Sequence, residues 1–104
     1  PHGYAVARGL VVALVISRLR FGFPSDTLYQ LAAYIKENYG PGHITCDDYP
    51  RLLELMSHDK KNPSSDSISF TLLHDIGRVE TGCIVTPEEI TAALDIYRDL
   101  MGLS

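Results

Sequence analysis

The N-terminal segment of the chain constrains the fold more than any other. Residues 3 to about 21 have the length of an α-helix, and Phe23-Pro24 ends the segment. Apolar residues would occur on nearly every side of that helix: Tyr4, Val6, Leu10, Val11, Val12, Leu14, Val15, Ile16 and Leu19. A helix that is apolar on nearly all sides is buried on nearly all sides. We therefore predict a buried helix. Three further short elements can hardly cover it, so we expect it to pack against a part of the protein outside this chain. Its β-branched residues leave a buried strand as the alternative.

This segment is not a membrane span. Its longest apolar run extends from Leu10 to Ile16, with Arg8 before it and Arg18 after it. A membrane-spanning helix needs about 18 or more apolar residues. The opening Pro-His-Gly also lacks the layout of a signal peptide. We expect no membrane contact.

Two further helices are predicted from local signals. After Ser25, which we expect to be an N-cap, Leu28, Leu31, Ala32 and Ile35 recur with the spacing of an amphipathic helix. Gly40-Pro41-Gly42 ends that helix. Another helix is expected from Thr45 or Asp47 to about Lys60, with Pro50 in its first turn.

The C-terminal part predicts a hairpin followed by a helix. Ile68, Phe70 and Leu72 alternate with polar residues, and a second strand from Val79 to Val85 would pair back. Thr86, Pro87 and Glu89 form a capping-box pattern, and Gly102 closes the last helix. Its expected buried stripe consists of Ile90, Ala93, Leu94, Tyr97, Leu100 and Met101. The predicted fold class is mainly α, with about four helices and a small β-hairpin.

Length and charge narrow the class of protein. The chain has 104 residues, enough for one domain over residues 1–104. A net charge of -4 does not suit a nucleic-acid-binding protein, which carries a basic surface. Cys46 and Cys83 do not show the paired spacing of a zinc ribbon. Two unpaired thiols favour the reducing cytoplasm.

The residues alone indicate no complete active site. Lys60 and Lys61 stand at a predicted helix end, where they would complement the helix dipole or bind an anion such as phosphate. His2 precedes the buried helix, but a zinc site needs at least three protein ligands. His43 and His74 fall in predicted turns and are expected to be solvated.

Four stretches, in order, resemble the C-terminal part of the 3-dehydroquinate synthase family. They are HGYAVARGLVVAL at 2–14, MSHDKKN at 56–62, SISFTLLHDIGRVETG at 67–82 and VTPEEITAAL at 85–94. The family pattern has a helix of the HGExVAxGM type, a helix end of the DKKN type, then a strand and an Ile-Gly turn. The match in order and spacing covers nearly all of the chain.

The resemblance implies an NAD- and metal-dependent enzyme of aromatic amino acid biosynthesis. It would cyclise 3-deoxy-arabino-heptulosonate 7-phosphate to 3-dehydroquinate in the shikimate pathway, with loss of phosphate. His2 matches one of three protein ligands to a divalent metal, zinc or cobalt. Lys60 matches the lysine that contacts the substrate phosphate, which leaves Lys61 as a surface cation.

The sequence departs from the family pattern at Tyr4, where glutamate is usual, and at Arg8, where a small or apolar residue is usual. The other metal ligands, the GHxxGHxxE stretch and the N-terminal NAD domain would all lie upstream. We therefore expect a fragment of a larger α/β plus α enzyme that is inactive alone, binds zinc weakly and forms a homodimer or otherwise self-associates.

Two alternatives stay open. One is a related sugar-phosphate cyclase of the 2-deoxy-scyllo-inosose or epi-valiolone synthase type. It stays open because the residues that select the substrate in this family lie largely upstream of this chain. The other is a free-standing helical interaction module in which Lys60 is structural.

Overall fold

The computed structural model describes residues 2–40, 42, 46–50 and 68–103, with side chains from Val6 onward except that of residue 46. The elements are α1 (His2–Phe21), α2 (Ser25–Tyr39), a 3₁₀ turn (Cys46–Asp48), β1 (Ile68–Asp75), β2 (Arg78–Val85) and α3 (Pro87–Leu100). The mainly helical class with a small hairpin is confirmed. Three α-helices lie in the described ranges, one fewer than the count of about four. The helix predicted to reach Lys60 falls largely outside those ranges; of it, Tyr49 and Pro50 are described, and both are helical.

Helix α1 is the centre of the packing, since it contacts β1, α2 and α3. The prediction of a helix is confirmed, and the strand alternative is wrong. Its buried apolar side chains are Ala7, Val11, Val12, Leu14, Val15 and Ile16. Each fully buried valine or isoleucine contributes about 1.5–3 kcal/mol of hydrophobic free energy. None of the described helices is long and apolar enough to cross a bilayer.

The burial of α1 is incomplete at both ends. Val6, Leu10 and Leu19 are between 44% and 55% exposed. The described elements therefore cover the middle of the helix and leave apolar positions near each end open.

Helix α2 packs one stripe against α1. Leu28, Ala32 and Ile35 are buried, as their spacing predicts. The prediction that Ser25 caps this helix is wrong, because Pro24 occupies the N-cap position and makes no side-chain capping hydrogen bond. At the other end, Gly40 adopts a positive φ of 79° and its N–H donates to the Lys36 carbonyl. Only glycine takes up this conformation without strain.

Strands β1 and β2 form the predicted antiparallel hairpin, but its register is irregular. Phe70 is opposite Cys83, whereas Leu72 is opposite Glu80. Strand β2 thus contains an extra residue at this point, and Gly82 has a φ of 68° there. An extra residue with glycine in the left-handed region is typical of a β-bulge. The bulge changes the alternation, so that only Cys83 and Val85 of β2 are buried.

Two polar side chains of α1 connect it to both strands. Ser17 is fully buried, and its hydroxyl donates to the Ala13 carbonyl at 2.8 Å and accepts from the Leu73 N–H of β1 at 3.0 Å. Arg20 donates to the Ile84 carbonyl of β2 at 2.8 Å. Because residues three positions apart lie on the same side of a helix, the hairpin is held across one face of α1.

Helix α3 begins with the predicted capping box. The Thr86 hydroxyl accepts from the Glu89 N–H at 3.2 Å, and the Glu89 carboxylate accepts from the Thr86 N–H at 3.0 Å. Arg20 of α1 lies 2.7 Å from the same carboxylate. The hydrogen bond from the Thr86 backbone and the Arg20 guanidinium lower the pKa of Glu89. One carboxylate therefore both caps α3 and binds it to α1.

The C-terminus of α3 ends as predicted at Gly102, which has a φ of 72°. The Leu103 N–H donates to the Arg98 carbonyl at 2.8 Å, and the Gly102 N–H donates to the Asp99 carbonyl at 3.1 Å. These two bonds define a Schellman motif. Ile90, Ala93, Leu94, Tyr97 and Met101 of the predicted stripe are buried, and Leu100 is partly buried.

Ser17→Ala should destabilise the protein by about 1–3 kcal/mol, because it leaves the Leu73 N–H without its partner in the interior. Urea unfolding followed by circular dichroism measures this change. Thr71→Ala, at an exposed position of β1, is the control and should change stability by no more than about 0.5 kcal/mol. If Ser17→Ala and Thr71→Ala lowered stability by the same small amount, the Ser17 hydrogen bond would not stabilise the docking of the hairpin.

The Glu89 carboxylate should make stability depend on acid pH. Because its pKa is lower in the folded state, its contribution is complete above the unfolded pKa of about 4.3 and disappears as pH falls through the folded value. Glu89→Gln should therefore lose less stability than the wild type between about pH 6 and pH 3. The control, Glu88→Gln, should keep the wild-type dependence. If Glu89→Gln also kept that dependence, the inferred coupling would be wrong.

Candidate functional site

The predicted metal ligand His2 is the first residue of α1. Its backbone is helical, and its side chain is not among the described ones. The structure therefore places the start of the helix that carries His2 but not the imidazole ring. The assignment of His2 as a metal ligand stays a prediction.

The predicted phosphate ligand Lys60 lies outside the described residues, as do Lys61, His43 and His58. The structure therefore gives no distance between the side chains of Lys60 and His2. The assignment of Lys60 to the substrate phosphate therefore also stays a prediction.

Arg8, one and a half turns along α1 from His2, connects three parts of the fold. Its Nη2 atom donates to the Tyr39 carbonyl at the end of α2, at 3.2 Å. Its guanidinium also lies close enough to Tyr97 on α3 for its charge to act on the pKa of that phenol. A Cβ atom at Gly42 would lie 2.8 Å from its Nε atom, so the backbone at Gly42 passes directly against the guanidinium.

Tyr97 is fully buried. Burial raises the pKa of Tyr97, and the positive charge of Arg8 partly opposes that rise. The phenol therefore stays protonated at neutral pH.

A second buried tyrosine fixes the start of the segment that leads toward Lys60. The Tyr49 hydroxyl donates to Oδ1 of Asp95 on α3 at 2.7 Å. Beside this contact, a shallow groove is lined by Pro87, Glu88, Thr91, Ala92 and Asp95. Among the described residues that line it, the charged side chains are those of Glu88 and Asp95.

The prediction that His74 lies in a turn is wrong: His74 belongs to β1, and its side chain is partly exposed. Its ring stacks on Phe21 with 3.8 Å between centroids, and Nε2 lies 2.7 Å from Oε1 of Glu80. The hydrogen bond to His74 lowers the pKa of Glu80. Burial raises the pKa of the neighbouring Cys83 thiol, which disfavours the reactive thiolate.

The His74 cluster (Phe21, His74, Glu80 and Cys83) is remote from His2. Phe21 ends the helix that His2 begins, and the length of α1 separates their Cα atoms by about 28 Å. In the part of the chain that the structure describes, no three His, Cys, Asp or Glu side chains converge as a metal site would require.

Sequence reasoning missed the contacts of Arg8 and Tyr49. The available signal was a charged residue inside an otherwise apolar helix, because such a residue must find polar partners when it is buried. The sequence does not identify those partners, since Tyr39 and Tyr97 are distant along the chain.

Comparisons with known proteins agree with this arrangement of motifs. Residues 1–62 match the family model described as 3-dehydroquinate synthase C-terminal. The chain is 46% identical over 102 residues to a 3-dehydroquinate synthase of Parabacteroides distasonis, which covers 98% of the chain and 29% of that protein. It is 34% identical over 94 residues to a 3-dehydroquinate synthase of Clostridium tetani, covering 90% of the chain and 25% of that protein.

The chain thus spans between a quarter and a third of the length of these relatives. No solved structure gives a significant match.

Proposed function

Because the chain belongs to the 3-dehydroquinate synthase family and matches its C-terminal part, we propose that it contributes one side of that enzyme's active site. The enzyme would be a lyase that converts 3-deoxy-arabino-heptulosonate 7-phosphate to 3-dehydroquinate with loss of phosphate. The observation that supports this proposal most is the 46% identity over 98% of the chain to a protein of that name.

We propose His2 as one ligand of a divalent metal, zinc or cobalt. A neutral imidazole is a usual ligand of zinc, and a catalytic site takes three protein ligands. The exposure of Val6, Gly9 and Leu10 leaves room beside the first turns of α1 for other parts of the enzyme to approach. When bound, the metal would act as a Lewis acid toward the oxygens of the substrate. His2 would supply one fixed nitrogen donor to that site.

Lys60 is proposed to bind the phosphate group of the substrate. An ammonium group forms charge-assisted hydrogen bonds to phosphate oxygens. Because the phosphate is also the leaving group, Lys60 would stabilise negative charge that grows during its departure.

The remaining parts of the site would come from the rest of the longer protein. These are the other metal ligands and the NAD-binding domain; bound NAD would supply the chemistry that oxidises and later reduces one carbinol of the substrate. We also propose a cytoplasmic location and self-association through the exposed apolar positions of α1, since large exposed apolar patches favour association.

The full-length protein should release phosphate from 3-deoxy-arabino-heptulosonate 7-phosphate, and the product should have the mass of 3-dehydroquinate. Activity should require NAD and should be lost after metal removal by a chelator. Residues 1–104 alone should release no phosphate, because a single imidazole does not complete a metal site. An inosose or valiolone product would identify a related cyclase instead. A gene product that starts near His2 would favour a free-standing module.

Lys60→Ala in the full-length enzyme should reduce kcat/KM by roughly 10- to 150-fold, the equivalent of about 1.5–3 kcal/mol for a charged hydrogen bond. Part of the loss should appear in kcat, because the contacted phosphate leaves in the reaction.

Lys61→Ala is the matched control for that experiment. It should change kcat/KM by less than about threefold, as expected for a surface residue that contributes within 0.5 kcal/mol. Circular dichroism should show that both variants are folded. Equally mild effects of the two substitutions would contradict the role of Lys60.

A further inference from the structure

We propose that the outer edge of β2 pairs with the same edge of a second copy of this chain. The two strands would run antiparallel about a two-fold axis at Val79, so that Val79 of one copy lies opposite Val79 of the other. Because both copies use the same surface, such an interface closes as a dimer. This contact is separate from the association proposed through α1, and it does not depend on the proposed catalytic role.

The backbone of Val79 faces away from β1. Val79 is opposite Leu73 in the hairpin. The Leu73 N–H donates to the Ser17 hydroxyl of α1 at 3.0 Å, so it does not point at β2. In an antiparallel ladder, residues directly opposite each other either exchange both hydrogen bonds or exchange neither. Leu73 and Val79 therefore form a non-hydrogen-bonded pair, and the N–H and C=O of Val79 point to the outer edge of β2.

This outer edge is open in the part of the chain that the structure describes. There β2 has β1 as its only neighbouring strand, and residues 78–82 are all exposed. The side chain of Val79 is 59% exposed. An open strand edge offers backbone donors and acceptors to a further strand. Two copies of Val79 would satisfy one another, with each N–H donating to the carbonyl of the other.

The charges beside Val79 favour a second copy as the partner. Antiparallel pairing centred on Val79 places Arg78 of each copy opposite Glu80 of the other. The dimer would thus contain two opposite-charge pairs, which stabilise neighbouring strands. A pairing centred on Glu80 would instead place two carboxylates opposite each other, which is destabilising. The sequence Arg78-Val79-Glu80 is therefore self-complementary in one register.

The edge is also held in place before a second copy binds. His74 Nε2 lies 2.7 Å from Oε1 of Glu80, and this hydrogen bond lowers the pKa of Glu80. The carboxylate is thus ionised at neutral pH and restrained in position. The far end of the strand is fixed by the burial of Cys83 and Val85. A restrained surface loses less conformational entropy when it binds.

Charge reversal tests this register in the full-length protein, with self-association measured by sedimentation velocity. Arg78→Glu or Glu80→Arg places like charges opposite each other twice in the dimer, and each should weaken association through the β2 edge about 10-fold. The double variant restores opposite charges and should recover the association. The two single variants, when mixed, should bind each other more tightly than either binds itself.

A second variant removes a backbone donor without changing any charge. Val79→Pro deletes the N–H that would bind the other copy, and the ladder within the hairpin keeps its bonds because this N–H does not face β1. It should abolish the edge pairing while circular dichroism shows a folded protein. Thr81→Ala, at another exposed position of β2, is the control and should associate like the wild type. In the wild type, amide hydrogen exchange at Val79 should slow as the protein concentration rises.

The outcomes distinguish a second copy from other partners. If the charge reversals and Val79→Pro leave association unchanged, or if the double variant does not recover it, the proposed pairing is wrong. If only a substitution on α1, Leu10→Lys, abolishes association, the contact through α1 stands and the β2 pairing is overturned. If the Val79 amide is already protected in dilute monomeric protein, another part of the longer polypeptide covers the edge, which also overturns the pairing.

Discussion

The burial of α1 is the constraint on which the other described elements depend. A helix with apolar residues on nearly every side needs cover from several directions, and β1, α2 and α3 supply it. Three polar residues of this helix bind its neighbours: Arg8 binds the end of α2, Ser17 binds strand β1, and Arg20 binds strand β2 and the start of α3. Apolar burial gives the driving force, and these directional contacts specify how each neighbour is placed.

The elements that sequence predicted well are those that depend on local chemistry. The ends of helix α3 are set by Thr86, Glu89 and Gly102. Their capping hydrogen bonds join residues that are only a few positions apart in the chain. The missed features depend on distant contacts. His74 lies in strand β1 and stacks on Phe21, which is more than fifty residues earlier in the chain. The bulge at Gly82 follows from how the hairpin docks, which alternation alone does not show.

The candidate site shows the same division between local and distant information. The roles proposed for His2 and Lys60 come from sequence motifs. Without the motifs, His2 would look like an ordinary residue at a helix start and Lys60 like an ordinary residue at a helix end. The position of Arg8 within an apolar helix was visible in the sequence, but its contact with the Tyr39 carbonyl was not, because only the tertiary structure brings the two residues together. An active site divided between distant parts of a polypeptide leaves each part with an incomplete chemical signature.

The contacts that Ser17 and Arg20 make with the hairpin have a consequence for solubility during folding. A two-stranded sheet has unpaired backbone groups along its outer edges, and such edges can recruit strands from other molecules. Side chains from a helix occupy one backbone donor of β1, at Leu73, and one acceptor of β2, at Ile84. Until α1 has docked, these two groups are open to intermolecular β-pairing; docking of the helix removes both of them from such pairing.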